Sequence, residues 1–577
     1  MTVRERALIT GLSVALIMLT GALIAPSFAP AGEVAAPSVA APQPYIEGVL
    51  GHATNASPFG ARSAADRDLV ALLFRGLVRL GPGNSIVGDL AERWDVDEKG
   101  STWTFHLRSG MRWQDGEPIT AEDVVFTIGA LSDPDYSGPG AESWREVTAT
   151  AVDALTVSLI LATPLGGFLQ AATQPIAPAH LLSFVPRNQL ASDPFGRRPV
   201  GSGSFRLITL DGSRAVLAAW SPSELPPVGP VPGESDVAAT DSLGTPGPSG
   251  PAPEPAPYLA GIEFEFFDTV DDLREAWQRG AIDGASGLQP TDALGLVASG
   301  GARMVRYPGS NLTAVVLNLR SGKSAFGGDI NVRKALSESI DRDALVTAVL
   351  AGLGVRADNL IPPTSPLYDA ASATPLAFDL AAARQALTDA GWTLPDGGNW
   401  VAKGATDPVT FDLLSPEEAA NPVAFAIAEI IAKDWQALGL KVTHVAQAPA
   451  QPLADRLRSS DYVAAVLPLA VGLDPDLYPI LASTQTRTGG SNVSGIQDPA
   501  LDKLLAAARA PGTDEVRKAA YAALQARLAE TFYILPLAFR DDYVVLRNTV
   551  QGPAPRSVGT SGDRFWDVLT WRLADGL

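Results

Sequence analysis

Few runs in this sequence offer side chains whose types and spacing could do chemistry, and each has a competing local explanation. Asp115-Gly116-Glu117 sets two carboxylates two residues apart, the raw material of paired acid and base catalysis. Asp-Gly is also a preferred tight-turn dipeptide, and Trp113-Gln114-Asp115-Gly116 leads into a helix start at Thr120, so a turn accounts for the run. Asp95-Val96-Asp97-Glu98-Lys99-Gly100 has the opening of a calcium loop without its closing glutamate, and a hairpin is expected there. His52, His106, His180 and His444 stand far apart, without the spacing of a metal site. Residues 200–205 are glycine-rich, yet lack both the Gly-Lys-Ser/Thr of a phosphate loop and the Gly-x-Ser-x-Gly of a nucleophile elbow. The chain has no cysteine, which removes thiolate metal sites, thiol nucleophiles and disulfides together. No catalytic residue, metal or cofactor is therefore expected, and the sequence has to be read for binding.

The elements that must position a binding site alternate in type along the chain. In residues 101–108, Trp103, Phe105 and Leu107 alternate with Thr102, Thr104 and His106, the period of a half-buried strand. Thr120 opens a helix, with Glu122 and Asp123 at its positive dipole end and Val124, Val125, Ile128 and Leu131 as its apolar stripe. Residues 200–220 predict a turn and two strands, and 262–267 a further strand. After residue 310 long helices alternate with single strands. A strand is expected over 313–319, then a helix with Val332, Ala335, Leu336 and Ile340 on one face. Further helices are capped by Asp341 and by Asp379, stopped at Gly352 and Gly391, and begun by Pro499. An amphipathic helix over 424–438 stops at Gly439 and feeds a strand over 440–445. This order predicts an α/β architecture, and no repeat of about 20 to 50 residues is visible.

With 577 residues, 46% hydrophobic and 18% charged, the chain can fill several cores. Its 43 basic and 63 acidic residues give a formal net charge of −20, a field that repels phosphate backbones and excludes a general nucleic-acid partner. Arg4 and Arg6 precede an apolar run over 7–25, which is followed by an Ala/Pro-rich stretch. Residues 1–29 are read as a signal peptide or, since the run is nearly long enough to span a bilayer, an N-terminal membrane anchor, and 30–44 as a linker. An exported protein, periplasmic or at the cell surface, is expected. Residues 221–257 are crowded with Pro and Gly and carry Glu224, Glu234, Asp236, Asp241 and Glu254 without a basic residue, the composition of a disordered surface loop.

The most informative block is 72–131. It contains an L-F-x-G-L-V opening, Asp89-Leu90-Ala91 with Trp94, the run W-T-F-H-L-R over 103–108, and D-G-E-P-I-T-A-E-D-V over 115–124. Together at these spacings the block resembles the family 5 extracellular solute-binding proteins, the peptide- and nickel-type receptors of ABC importers. Similarity continues through Ile176 to Leu182, Pro199 to Phe205, Ile262 to Gly284, Asn318, Val332 to Leu336, Ile340-Asp341-Arg342, Asp379 to Trp392 and Asn492 to Leu505. The resemblance implies a type II periplasmic-binding-protein fold: two α/β lobes around a cleft, with an extra domain inserted in the first lobe. The first lobe is expected over 45–310, the inserted domain over about 60–195, the second lobe over 311–535 and a return to the first over 536–577. The function implied is capture of a small or peptide-like ligand by lobe closure, by a monomer that delivers it to the permease subunits of an ABC importer.

Peptide-binding members of that family hold the peptide's ammonium on an aspartate three residues before an acidic-proline pair. Here the pair is Asp474-Pro475 and the position three before it is Val471, which disfavours peptides with a free amino terminus; a one-residue bulge would bring in Asp474 instead. The other ligand-contact candidates are Asn55, Ser57 and Phe59 ahead of the signature block, Ser310 and Asn311 at the entry to the second lobe, and Tyr478, Ser491 and Asn492 in its loop-rich return. Two alternatives stay open. One is an exported sensor or assembly factor that kept the fold with a degenerate cleft. The other is an exported hydrolase, for which no nucleophile and base motif is present.

Overall fold

The computed structural model describes residues 43–221, 257–447 and 450–574. Residues 1–42 and 222–256, which hold the expected export segment, nearly all of the linker and the Pro/Gly-rich loop, lie outside them. The described strands used below are, in chain order, β1 Tyr45–Leu50, β2 Ala91–Val96, β3 Thr102–Leu107, β4 Val147–Asp153, β5 Thr156–Leu161, β6 Phe205–Leu210, β7 Arg214–Ala219, β8 Gly261–Phe267, β9 Gly284–Ser286, β10 Ala302–Leu317, β11 Gly354–Arg356, β12 Thr410–Pro416, β13 Lys441–Gln447, β14 Ala464–Ala470 and β15 Ile534–Arg547.

One mixed sheet runs through both α/β lobes in the order β13-β12-β14-β10-β15-β9-β1-β8-β7-β6, with β11 also beside β15. Its two longest strands, β10 and β15, are antiparallel partners that extend from one lobe into the other. Residues 302–307 of β10 pair with 542–547 of β15, next to β9 and β1. Residues 311–316 pair with 534–540, next to β14. Between these blocks the register breaks: Tyr307 faces Asp542 and Asn311 faces Arg540, so Pro308, Gly309 and Ser310 stand opposite the single residue Asp541. Extra residues on one strand bend it and raise its local twist. The expected strand over 313–319 is thus the far half of a longer one, because residues 302–310 carry Arg303, Arg306, Pro308 and Gly309 and do not read as apolar sheet.

Local chemistry fixes the other elements where the sequence placed them. The Asp123 carboxylate accepts from the Thr120 N–H at 2.9 Å and starts the helix Ala121–Ser132. Asp341 and Asp379 cap Arg342–Leu350 and Leu380–Asp389. Asn421 caps Pro422–Leu438, which Gly439 ends at φ 109, a conformation that favours glycine. Asp97 takes the N–H groups of Ser101 and Thr102 at 2.7 and 3.0 Å, closing the β2–β3 hairpin in place of any calcium loop. The separate sheet β2-β3-β5-β4 is antiparallel throughout. Its inner residues Trp103, Phe105, Val157 and Leu159 share one buried cluster with Tyr45, Ile262, Phe264 and Val544 of the main sheet.

The C-terminal segment is fastened by charge. Arg564, almost wholly buried, donates to both oxygens of Glu47 on β1, at 3.0 and 2.7 Å, and to Asp68 in the helix Ala64–Leu73 at 2.7 Å. Buried charges left unpaired cost several kcal/mol, so the segment after β15 cannot leave without exposing two carboxylates to an apolar core. The second lobe carries the opposite case. Asp434, on Pro422–Leu438, has one carboxylate oxygen buried without a partner, and burial pushes its pKa up to about 6.

A carboxyl whose pKa is raised in the fold gives stability that is present below its unfolded value and lost as pH rises through about 6. Asp434→Asn is therefore expected to stabilise the protein at pH 7.5 by on the order of 1–2 kcal/mol after allowing for its partial exposure, seen as a melting temperature about 1–3 °C higher. The difference should vanish near pH 4, which calorimetry at the two pH values checks.

Candidate functional site

The direction of the strands decides where a ligand can sit. In the first lobe β1, β8 and β9 are mutually parallel, and β10 runs the same way because both it and β9 are antiparallel to β15. In the second lobe β12, β13 and β14 are parallel to one another and opposed to β10, and the end of β14, Ala470, pairs with Asn311 at the register break. Both lobes therefore turn the carboxyl ends of their parallel strands toward the same crossing. That edge is where open α/β sheets bind ligands. The loops that follow are 51–63 after β1, 417–421 after β12 and 471–477 after β14.

Of the sequence candidates, Asn55, Ser57, Phe59 and Asp474 lie in these loops, and several candidates are committed to holding the chain in shape. Asn55 donates to the Ala191 carbonyl at 3.0 Å and accepts from the Ser57 N–H at 2.9 Å. Ser57 is buried and accepts from the Phe59 N–H, and Phe59 packs edge-on against Phe126 and Tyr136 at ring distances of 6.0 and 5.8 Å. Asn492 is buried and spends its whole amide on the chain, donating to Leu481, Ala482 and Ile496 and accepting from Gly495 and Ile496. All four side chains are engaged within the fold: Asn55, Ser57 and Asn492 satisfy backbone groups, and Phe59 packs in an aromatic cluster. Ser310 is buried in the register break with its hydroxyl against the Val558 carbonyl at 3.5 Å. Ser491 is exposed. Asn311 is half-buried, directly opposite Arg540, with no side-chain hydrogen bond to the described residues.

The segment after β14 is closed to an ammonium at both of its possible anchors. Val471 is 7% exposed and packs in a cluster with Leu312, Leu477, Leu481 and Phe539. Asp474, the alternative, is held by both terminal nitrogens of Arg517, at 2.8 and 2.6 Å. Its neighbour Asp476 pairs with Arg509 at 2.9 Å, and that guanidinium lies over the Tyr478 ring at 4.5 Å, while the Tyr478 hydroxyl meets Thr484 at 3.1 Å. A bidentate arginine on Asp474 and a single arginine hydrogen bond on Asp476 neutralise this corner.

The same corner touches the first lobe a second time, away from the two long strands. The Gly166 N–H donates to the Arg509 carbonyl at 2.8 Å, and Gly167 lies so close to Asp474 that a Cβ there would stand 2.8 Å from its carboxylate. Gly166 and Gly167 belong to the loop after β5 of the inserted sheet. The two lobes thus meet both at the register break and at this contact.

Sequence reading passed over the charges at the register break. Arg306 pairs with Asp541 on one face, and Arg540 and Asp542 stand two residues apart on the other. A signal was there: Arg540-Asp541-Asp542 interrupts the apolar run of β15. Burial raises the Asp542 pKa against the pull of Arg540, Arg564 and Arg67. The histidines form no centre. His52 meets Asp268, His106 meets Asp95, His180 meets Asp115 and His444 meets Ser415, and among the described residues no group of three metal-ligating side chains converges.

Both lobes send loops to the edge where open α/β sheets bind ligands, and comparison with known proteins says which family the chain belongs to. The profile of the bacterial extracellular solute-binding proteins, family 5, matches residues 85–492, and the chain belongs to that family. Its members are binding receptors and not enzymes. Protein XP55 of Streptomyces lividans is 30% identical over 75% of this chain and 72% of its own. A dipeptide-binding protein of Pseudomonas aeruginosa is 24% identical over 83% of this chain and 86% of its own. Among solved structures, the oligopeptide-binding protein AppA of Bacillus subtilis with a nonapeptide superposes with a TM-score of 0.72 at 21% identity, covering 93% of this chain and 100% of its own. NikZ of Campylobacter jejuni with Ni(L-His) gives 0.70 at 21%, covering 92% and 99%.

Gly167→Leu should wedge the second contact apart, because its Cβ has no room against Asp474. A wedge costing about 1.4 kcal/mol shifts the closed-to-open ratio tenfold. Small-angle scattering is expected to give a larger radius of gyration than for the wild type, with an unchanged circular dichroism spectrum.

Proposed function

We propose that this chain is an exported receptor that captures a small or peptide-like solute by closing two lobes about β10 and β15, and hands it unchanged to the permease of an ABC importer. The observation that carries the proposal is the pairing of β10 with β15. These are the two strands shared by both lobes, and their register breaks at the level of the crevice. On this reading the first lobe comprises 45–310 with the inserted domain over about 60–195, the second 311–535, and 536–577 returns to the first, working as a monomer. Closure is a population shift driven by contacts that only the closed form makes. The names of the relatives support a peptide or related ligand: dipeptide-binding, di/tripeptide-binding and glutathione-binding proteins occur among them, and a structural neighbour from Agrobacterium holds agropinic acid. The run of residues 7–25 would keep the receptor at the membrane if it is not removed.

A second reading, a sensor with a degenerate cleft, is favoured by one observation: Val471 and Asp474 are both closed to an ammonium. Thermal-shift screening separates the two. Di- and oligopeptides, opines and metal–histidine chelates are offered at 100 times a candidate Kd, where binding stabilises by about 2.7 kcal/mol. A receptor shows a clear shift with at least one class, and mass spectrometry recovers that compound intact. No shift with any class would favour the sensor, and recovery of a cleaved compound would favour a hydrolase.

A further inference from the structure

The receptor reading leaves open what holds the ligand once Val471 and Asp474 are excluded. At the register break two charged side chains stand with open valences. Arg540 and Asp542 lie on the same face of β15, with Nη2 of the one 3.8 Å from Oδ1 of the other, too far for a hydrogen bond. Neither side chain has a hydrogen bond to any described residue, although Asp542 is only 20% exposed and Arg540 43%. The other charged groups near Asp542 are already engaged. Arg564 is held by Glu47 and Asp68, Arg67 by the Arg62 carbonyl, and Asp563 by the N–H groups of Gly559 and Thr560. The Tyr307 ring is buried on the facing strand. Both Asp542 oxygens reach solvent, and among the described residues the one cation within ion-pair distance is Arg540, so the carboxylate is open to a donor brought by a ligand.

The position of the pair adds a second argument. Asp542 faces Tyr307 in the first-lobe block of the two strands, and Arg540 faces Asn311 in the second-lobe block, so the pair straddles the break. We propose that Asp542 takes a protonated amine of the ligand while Arg540, with the unpartnered Asn311 opposite, takes an adjacent carbonyl or carboxylate oxygen. One small dipolar group would then bridge the lobes at their hinge. The ligand class is an amine next to an acceptor oxygen, as at the amino terminus of a peptide or in an amino acid derivative. This rests on the receptor reading and moves the ammonium site away from the segment after β14.

The test uses the full chain and a tryptic digest of casein, offered either free or with all its amines acetylated. The free digest is expected to raise the melting temperature of the wild type, and the acetylated digest to need at least tenfold higher concentration for the same shift. Asp542→Asn should lose the response to the free digest while melting, without ligand, at or above the wild-type temperature. A purely structural carboxylate would instead make that variant melt lower. The wild-type contrast decides the matter even if the variant folds poorly. Equal shifts with both digests, no shift with the free digest, or an unchanged response in a folded Asp542→Asn variant would overturn the proposal. An equal shift with the acetylated digest, or a shift only with another compound class in the wider screen, would leave the receptor reading standing while this inference fell.

Discussion

The structure depends on one pair of antiparallel strands that does two jobs. Along most of their length β10 and β15 are ordinary central strands, buried on both faces and hydrogen-bonded to each other. At residues 308–310 against Asp541 the ladder is interrupted, and the strands change neighbours from β9 on the first-lobe side to β14 on the second. Chain continuity through the break ties the lobes together, and the missing ladder bonds make it the cheapest place for the sheet to bend. Everything else about the crevice follows from strand direction: both lobes point carboxyl ends at the break, so both send their loops there.

Magnitudes indicate how the lobes divide the work. The contact away from the hinge includes one backbone hydrogen bond, Gly166 to Arg509, and such a bond contributes about 1 kcal/mol net. That alone shifts a two-state equilibrium only about fivefold, so it can favour closure but cannot lock it. On the proposed closure mechanism the decisive free energy comes from a ligand, which lets a receptor release its cargo. Rigidity is supplied elsewhere. Arg517 and Arg509 neutralise Asp474 and Asp476 within the second lobe, and Arg564 ties the last segment of chain to β1 and to the helix Ala64–Leu73 within the first. Each lobe is thereby stiffened internally, and on the proposed mechanism the motion falls to the two strands.

The family and fold were legible because they rest on local signals: the alternation in residues 102–107, the caps at Asp341 and Asp379, the stop at Gly439 and the motif block over 72–131. The near half of β10 was not legible, because a strand that carries arginines, a proline and a glycine is held by its partner and not by its own pattern. Candidate site residues fared unevenly for a related reason. An asparagine or serine in a loop is equally suited to meeting a ligand and to satisfying backbone groups, and in Asn55, Ser57 and Asn492 the backbone claimed the side chain. Whether Asp474 was free depended on Arg517, 43 residues away on the helix Asp514–Thr531. Arg540 and Asp542 were readable in principle, since charges inside an apolar strand ask for an explanation, but only the register placed them at the junction of the lobes.

The absence of cysteine allows the central claim to be tested by distance. Spin labels on the exposed positions Lys99→Cys, in the β2–β3 turn, and Glu515→Cys, beside the second contact, report the separation of the lobes by pulsed electron paramagnetic resonance. In protein freed of ligand by unfolding and refolding, hinged lobes predict a broad distribution that includes a separated population, narrowing to a single short distance when a stabilising compound is added. A single short distance in the ligand-free protein, unchanged by every such compound, would mean that the lobes do not open, and would contradict the account.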